Sequence, residues 1–219
     1  MGENSGVRTQ FTQELHELTD SLTLMYRLAH DTVERGVDAL AEADLAAAYE
    51  VFALEEQLRA AHGTCESRTV ALLALQAPVA RDLRHVVTAM QIAGQLAEIG
   101  ALSSRVADQV YRRHPDHVAP QPILDVLVEL GRVAATRIAR VGTAAGTAPG
   151  PLRERLHAAL TDHEHPHSPT DVVELTLLGS YLERCVEHAD RIDAMVRFLD
   201  TGVPPTAQTG DGERQPAEI

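Results

Sequence analysis

From Phe11 onward, apolar side chains fall at Leu15, Leu18, Leu22, Met25, Ala29, Val33, Val37 and Leu40, spaced mostly three and four residues apart. That period places them on one stripe of an α-helix about 30 residues long, as a bundle helix requires. A turn around Glu42 to Asp44 leads to a second helical stretch, Leu45 to Gln76. Pro78 ends it, because proline disfavours helix at the residue before it and suits the first turn of the next. A third helix is predicted from about Val79 to about Arg113, stopping before His114-Pro115-Asp116 and the prolines at 120 and 122. At 1.5 Å per residue each helix is roughly 45 to 50 Å long.

The pattern then begins again. An amphipathic stretch runs from Ile123 to about Ala145, followed by a break at Gly146 to Gly150 and a short helix Leu152 to Thr161. After a polar loop comes a last helix, Thr170 to about Leu199. An offset of 86 residues lays the third helix on the sixth, matching Leu96 with Leu182, Arg105 with Arg191 and Val106 with Ile192. The chain therefore reads as all-α, two tandem three-helix bundles over residues 8–116 and 120–202, the second with a shortened fifth helix. Residues 203–219, rich in Pro, Gly and Thr without periodicity, read as a disordered tail.

Composition sharpens this picture. In 219 residues and 23.7 kDa, 44% are hydrophobic and 23% charged, but only 3% are aromatic and Trp is absent, so the core must be aliphatic. The 19 basic residues, every one Arg, face 32 acidic ones, a net charge of −13 that argues against nucleic-acid binding. No apolar leader precedes Thr9 and no window has about 18 uninterrupted apolar residues, which predicts a cytoplasmic protein. Cys65 and Cys185 form neither a CxxC pair nor a disulfide framework and fit a reducing compartment.

One segment carries candidate chemistry. In Leu178-Gly-Ser-Tyr-Leu-Glu183-Arg-Cys-Val-Glu187-His188-Ala-Asp190, the spacing puts Glu183, Glu187 and Asp190 on one helix face. Clustered carboxylates suit divalent or iron ions, and His188 adds a nitrogen ligand suited also to zinc. The same residues also read as a solvated acidic stripe neutralised by Arg184 and Arg191. His163-Glu164-His165-Pro166-His167 reads as a surface loop, because Pro166 breaks a helix and a closed zinc site would need ligands from elsewhere. Glu154-x-x-His157 lies on a short helix and Glu164-x-x-His167 in that loop, so a di-iron bundle site has no pair of long helices to stand on. Cys185, among carboxylates that would raise its pKa, reads as an inert packing residue. No catalytic spacing or phosphate-binding glycine loop is present, so the chain is expected not to be an enzyme.

The run Leu72-Leu-Ala-Leu-Gln76-Ala-Pro78-Val-Ala-Arg81-Asp82-Leu-Arg84, together with Leu177-Leu-Gly-Ser-Tyr-Leu-Glu183-Arg184-Cys-Val-Glu187-His188-Ala, closely resembles the PhoU family of phosphate-signalling regulators, over about residues 8 to 203. The resemblance implies the two-bundle fold and a non-enzymatic, homodimeric adaptor. Its implied partners are the phosphate ABC transporter ATPase and a membrane sensor histidine kinase, with the membrane reached only through them. It also implies metal clusters bound through a Glu/Asp-x-x-x-Asp pattern on the third and sixth helices. Glu183 matches the first acidic position on the sixth, with Glu187 at the second. The third helix has Ala97 and Ala101 at those positions, with Glu98 out of phase by about 100°, and the second helix has Leu54 where the family commonly has Asp. Divalent, iron or zinc ions are thus expected only at the sixth-helix face, and no cofactor is required. Arg81, Asp82 and Arg84, a charged triplet at a helix start, could dock a partner, although Asp in a first turn also simply favours the helix dipole.

Overall fold

The computed structural model describes residues 3–76, 80–142, 148–162 and 167–202. They form six helices: α1 (Glu3–Glu42), α2 (Leu45–Gln76), α3 (Ala80–Arg113), α4 (Gln121–Ala139), α5 (Gly150–Leu160) and α6 (Pro169–Thr201). The described residues contain no strand, and the all-α expectation holds. Pro78, most of the His163–His167 cluster and the tail from 203 lie outside the described residues.

Local chemistry sets the helix ends. Ala43 takes a left-handed φ of 51° to close α1. Asp44 Oδ1 then caps α2 by accepting the Ala46 and Ala47 amides at 2.8 and 3.3 Å. Ser168 caps α6 by accepting the Asp171 amide at 3.1 Å, and Gly202, at φ 74°, closes it. Two expected boundaries are corrected. α1 starts at Glu3 rather than Phe11, because the helix continues past the N-terminal limit of its apolar stripe. α4 ends at Ala139 rather than near Ala145, with Arg140 as its cap and Gly142 at φ 83° turning the chain away.

Helices α1, α3, α6 and α4 form a central square in which each side is a packed pair and the diagonal pairs do not meet. α2 lies outside against α1 and α3, and α5 lies outside against α4 and α6. The flanking position explains the narrow buried line of α2, where Val51, Leu58, Cys65 and Leu72 recur every seven residues. One aliphatic core runs through both halves, from Leu18 and Met25 on α1 to Leu182 and Ile192 on α6. Cys185 belongs to it, fully buried.

Antiparallel α3 and α6 are fastened along their whole length. Arg84 stacks over the Phe198 ring at 5.3 Å, and His188 Nδ1 lies 2.8 Å from Gln95 Oε1. Arg105 stacks over Tyr181 at 5.7 Å, and Arg113 donates to Asp171 and Glu174 at 2.6 and 2.9 Å.

Candidate functional site

The sixth-helix acidic residues do share a face, as their spacing requires, and that face turns toward α4 and α5. Arg153 of α5 reaches across to Glu183, its Nε donating to both carboxylate oxygens at 2.9 and 2.8 Å. The Glu183 side chain is only 12% exposed, and the ion pair raises the Arg153 pKa further. Arg137 of α4, 13% exposed, lies 3.2 Å from Asp190. Burial pushes the Asp190 pKa up, and Arg137 opposes that shift. Glu187, between them, is half exposed, with Arg191 of its own helix at 4.0 Å.

His188 does not join them. One residue on, it points about 100° away, is buried against α3 and gives its ring N–H to Gln95 Oε1. Burial, then Arg191 and Arg184, lower its pKa, which favours the neutral ring. The expected convergence of Glu183, Glu187, His188 and Asp190 is therefore corrected: three lie on one face with arginines between them and the fourth faces another helix. On α3, Ala97 and Ala101 supply no donor, and α2 places the half-buried Leu54 in the core margin. This donor set does not fit a bound metal.

Sequence reasoning overlooked a different group. Among the described residues, His30, Asp31 and Glu34 of α1 bring three possible ligand atoms within 4.8 Å of one another. The His30 ring nitrogens are 3.5 and 3.6 Å from the Asp31 and Glu34 carboxylates, so the three already form an ion-pair set when the imidazole is protonated. The i, i+4 spacing of His30 and Glu34 was a legible signal, hidden among the charged residues of a long amphipathic helix.

The charged triplet at the start of α3 divides in two. Arg84 is turned inward, its guanidinium over Phe198 and against Gly202, where a Cβ would come within 2.7 Å of it. Half-buried there, it clamps the end of α6. Arg81 and Asp82 instead edge a groove of about 550 Å³ between the ends of α1, α3 and α6. Its floor is apolar, with Leu15, Leu18 and Leu22 facing Val196 and Leu199. His16, His85 and Asp200 complete a polar rim. No helix among the described residues is long and apolar enough to cross a membrane.

The profile described as PhoU domain matches residues 22–110, from the α1 stripe to the end of α3. The chain is 35% identical over 226 residues to the phosphate-specific transport system accessory protein PhoU homolog 1 of Mycobacterium leprae, covering 95% of this chain and 100% of that protein. It is 34% identical over 217 residues to PhoU homolog 2 of Mycobacterium tuberculosis, covering 91% and 100%. The phosphate transport system regulatory protein PhoU of Streptococcus pneumoniae shares the fold with a TM-score of 0.73 at 21% identity, over 88% of this chain and 98% of that one. PhoU of Pseudomonas aeruginosa does so with 0.71 at 23%, over 88% and 100%. With a fold common to these solved structures and more than a third of its residues identical to an accessory protein matched end to end, this chain belongs to the PhoU family.

Proposed function

We propose that this protein is a regulator of phosphate transport that works by protein contact, holding phosphate uptake and the phosphate-starvation response in check when phosphate is plentiful. The observation that carries this reading is the end-to-end similarity to relatives named as phosphate transport accessory proteins. In the finer reading it is a cytoplasmic, homodimeric adaptor between the phosphate ABC transporter ATPase and a sensor histidine kinase. The groove edged by Arg81 and Asp82 supports a docking role, because an apolar floor with a polar rim resembles the make-up of a protein interface.

A phosphate-responsive reporter in a deletion strain tests the proposal. At high phosphate, deletion should derepress the reporter and the wild-type chain should restore silence. The Arg81→Glu/Asp82→Arg pair should fail to restore it while keeping the wild-type thermal midpoint. An unchanged reporter on deletion would reject the regulatory reading; full silencing by the charge-swapped chain would reject the groove. A second reading, a PhoU relative serving a different transporter or kinase, is favoured by Ala97 and Ala101 on α3 and by the arginine-filled face of α6. Co-purification with the phosphate transporter ATPase separates the two: capture supports the first reading, and its absence with another transporter ATPase bound supports the second.

A further inference from the structure

The carboxylate face of α6 is stitched to its neighbours by arginines, and we propose that Arg153 and Arg137 are the built-in counter-cations of that face, so that it operates without metal. Glu183 is nearly buried, and a carboxylate withdrawn from water must be neutralised and hydrogen-bonded. The Arg153 Nε does both, meeting the two oxygens at 2.9 and 2.8 Å. It comes from α5, while Arg137, which meets Asp190 at 3.2 Å, comes from α4. The two cations join α6 to both helices that flank this face, the cross-linking a bridging metal would otherwise supply.

A cation approaching Glu183 would meet a guanidinium already seated there, and coordination would require breaking the Arg153 contacts in a partly desolvated site. The remaining donors cannot compensate. Glu187 and Asp190 are half exposed on that face, but Asp190 is already paired with Arg137, His188 is turned to Gln95, and α3 presents Ala97 and Ala101. The cross-link is also placed to matter mechanically, because α5 is short and the ion pair lies beside its Leu152 and Leu156 packing. The proposal stands on this geometry and is independent of which transporter or kinase the protein serves.

The test uses the full chain. Wild-type protein should carry well below one metal per chain by elemental analysis, and its thermal midpoint should be unmoved by EDTA or by added Mn²⁺ or Zn²⁺. Arg153→Met should lower the midpoint by a few degrees, Arg153→Lys should lower it less, and Mn²⁺ should restore part of the loss in Arg153→Met but none in Arg153→Met/Glu183→Gln. Should Arg153→Met fail to fold, Arg153→Lys with and without Mn²⁺ gives the same comparison. Stoichiometric metal in the wild type that is lost in Glu183→Gln would overturn the proposal, as would an Arg153→Met protein with an unchanged midpoint. Metal that survives Glu183→Gln but is lost in His30→Ala belongs to α1 and leaves the α6 face metal-free, as proposed.

Discussion

Cys185 shows how far a single side chain's surroundings set its chemistry. It lies wholly inside the core on α6, where burial pushes its thiol up to about 12, and the Ser103 hydroxyl and Arg184 offset only part of that shift. Cys65, buried on α2, is raised for the same first reason. A thiolate is the reactive form, so neither cysteine should react with an aromatic disulfide reagent in the native protein at pH 8, and both should react once it is unfolded. A stoichiometric native reaction would contradict their placement. Leu18 makes the converse case. It is buried where α1 meets the groove floor, and Leu18→Asp would place an unpaired carboxylate there. The expected cost is about 3 kcal/mol or more, read as a lowered denaturation midpoint, and an unmoved midpoint would exclude Leu18 from the core.

At the level of the helices, α6 depends on what it meets at its start and on its outer face. Ser168 accepts the Asp171 amide and donates its hydroxyl to the Asp171 carboxylate at 2.6 Å, while Arg113 of α3 holds the same carboxylate at 2.6 Å. Ser168 first and Arg113 next lower the Asp171 pKa. A carboxyl group with a depressed folded-state pKa contributes stability above its unfolded value, near 3.9, and loses it as pH falls through the lower folded value. Wild type should therefore lose stability relative to Asp171→Asn only as the pH drops below about 4, by a small amount because the group faces solvent. Equal acid limbs in urea titrations would remove this contact from the account. Farther along, α6 offers Gly179 where Leu156 of α5 packs so closely that a Cβ would collide with its Cδ2. Gly179→Val should displace α5 and with it Arg153, loosening Glu183; faster hydrogen exchange confined to α5 would report it, and unchanged exchange would argue against the close packing.

The same helices show what the sequence made legible. Apolar periodicity located all six elements, and the acidic spacing correctly placed Glu183, Glu187 and Asp190 on one face. Period alone cannot say what stands opposite a face. Arg153 and Arg137 lie 30 and 53 residues from their partners along the chain, and only folding brings these arginines to the carboxylates. Arg84 was legible as charged but not as packed on a ring, because its partner Phe198 lies far from it along the chain and only folding brings the two together.

Over the whole molecule, the 86-residue repeat suggests two modules, yet the packing joins them in one square of α1, α3, α6 and α4 with a continuous core. The α1–α4 side of that square depends on Gly131, where a Cβ would lie 2.5 Å from Val37 Cγ2 and the helices can approach only because none is there. The opposite side, α3–α6, is held by Arg84, Gln95, Arg105 and Arg113. Neither half can open without exposing apolar surface of the other, so calorimetry should show one unfolding transition whose van't Hoff and calorimetric enthalpies agree. Gly131→Ala should lower that transition by several degrees without splitting it, and Val37→Ala added to it should recover part of the loss, since the smaller side chain makes room for the new methyl. Two resolved transitions in the wild type would mean that the halves fold as separate units and that the square is a contact between them rather than a shared core.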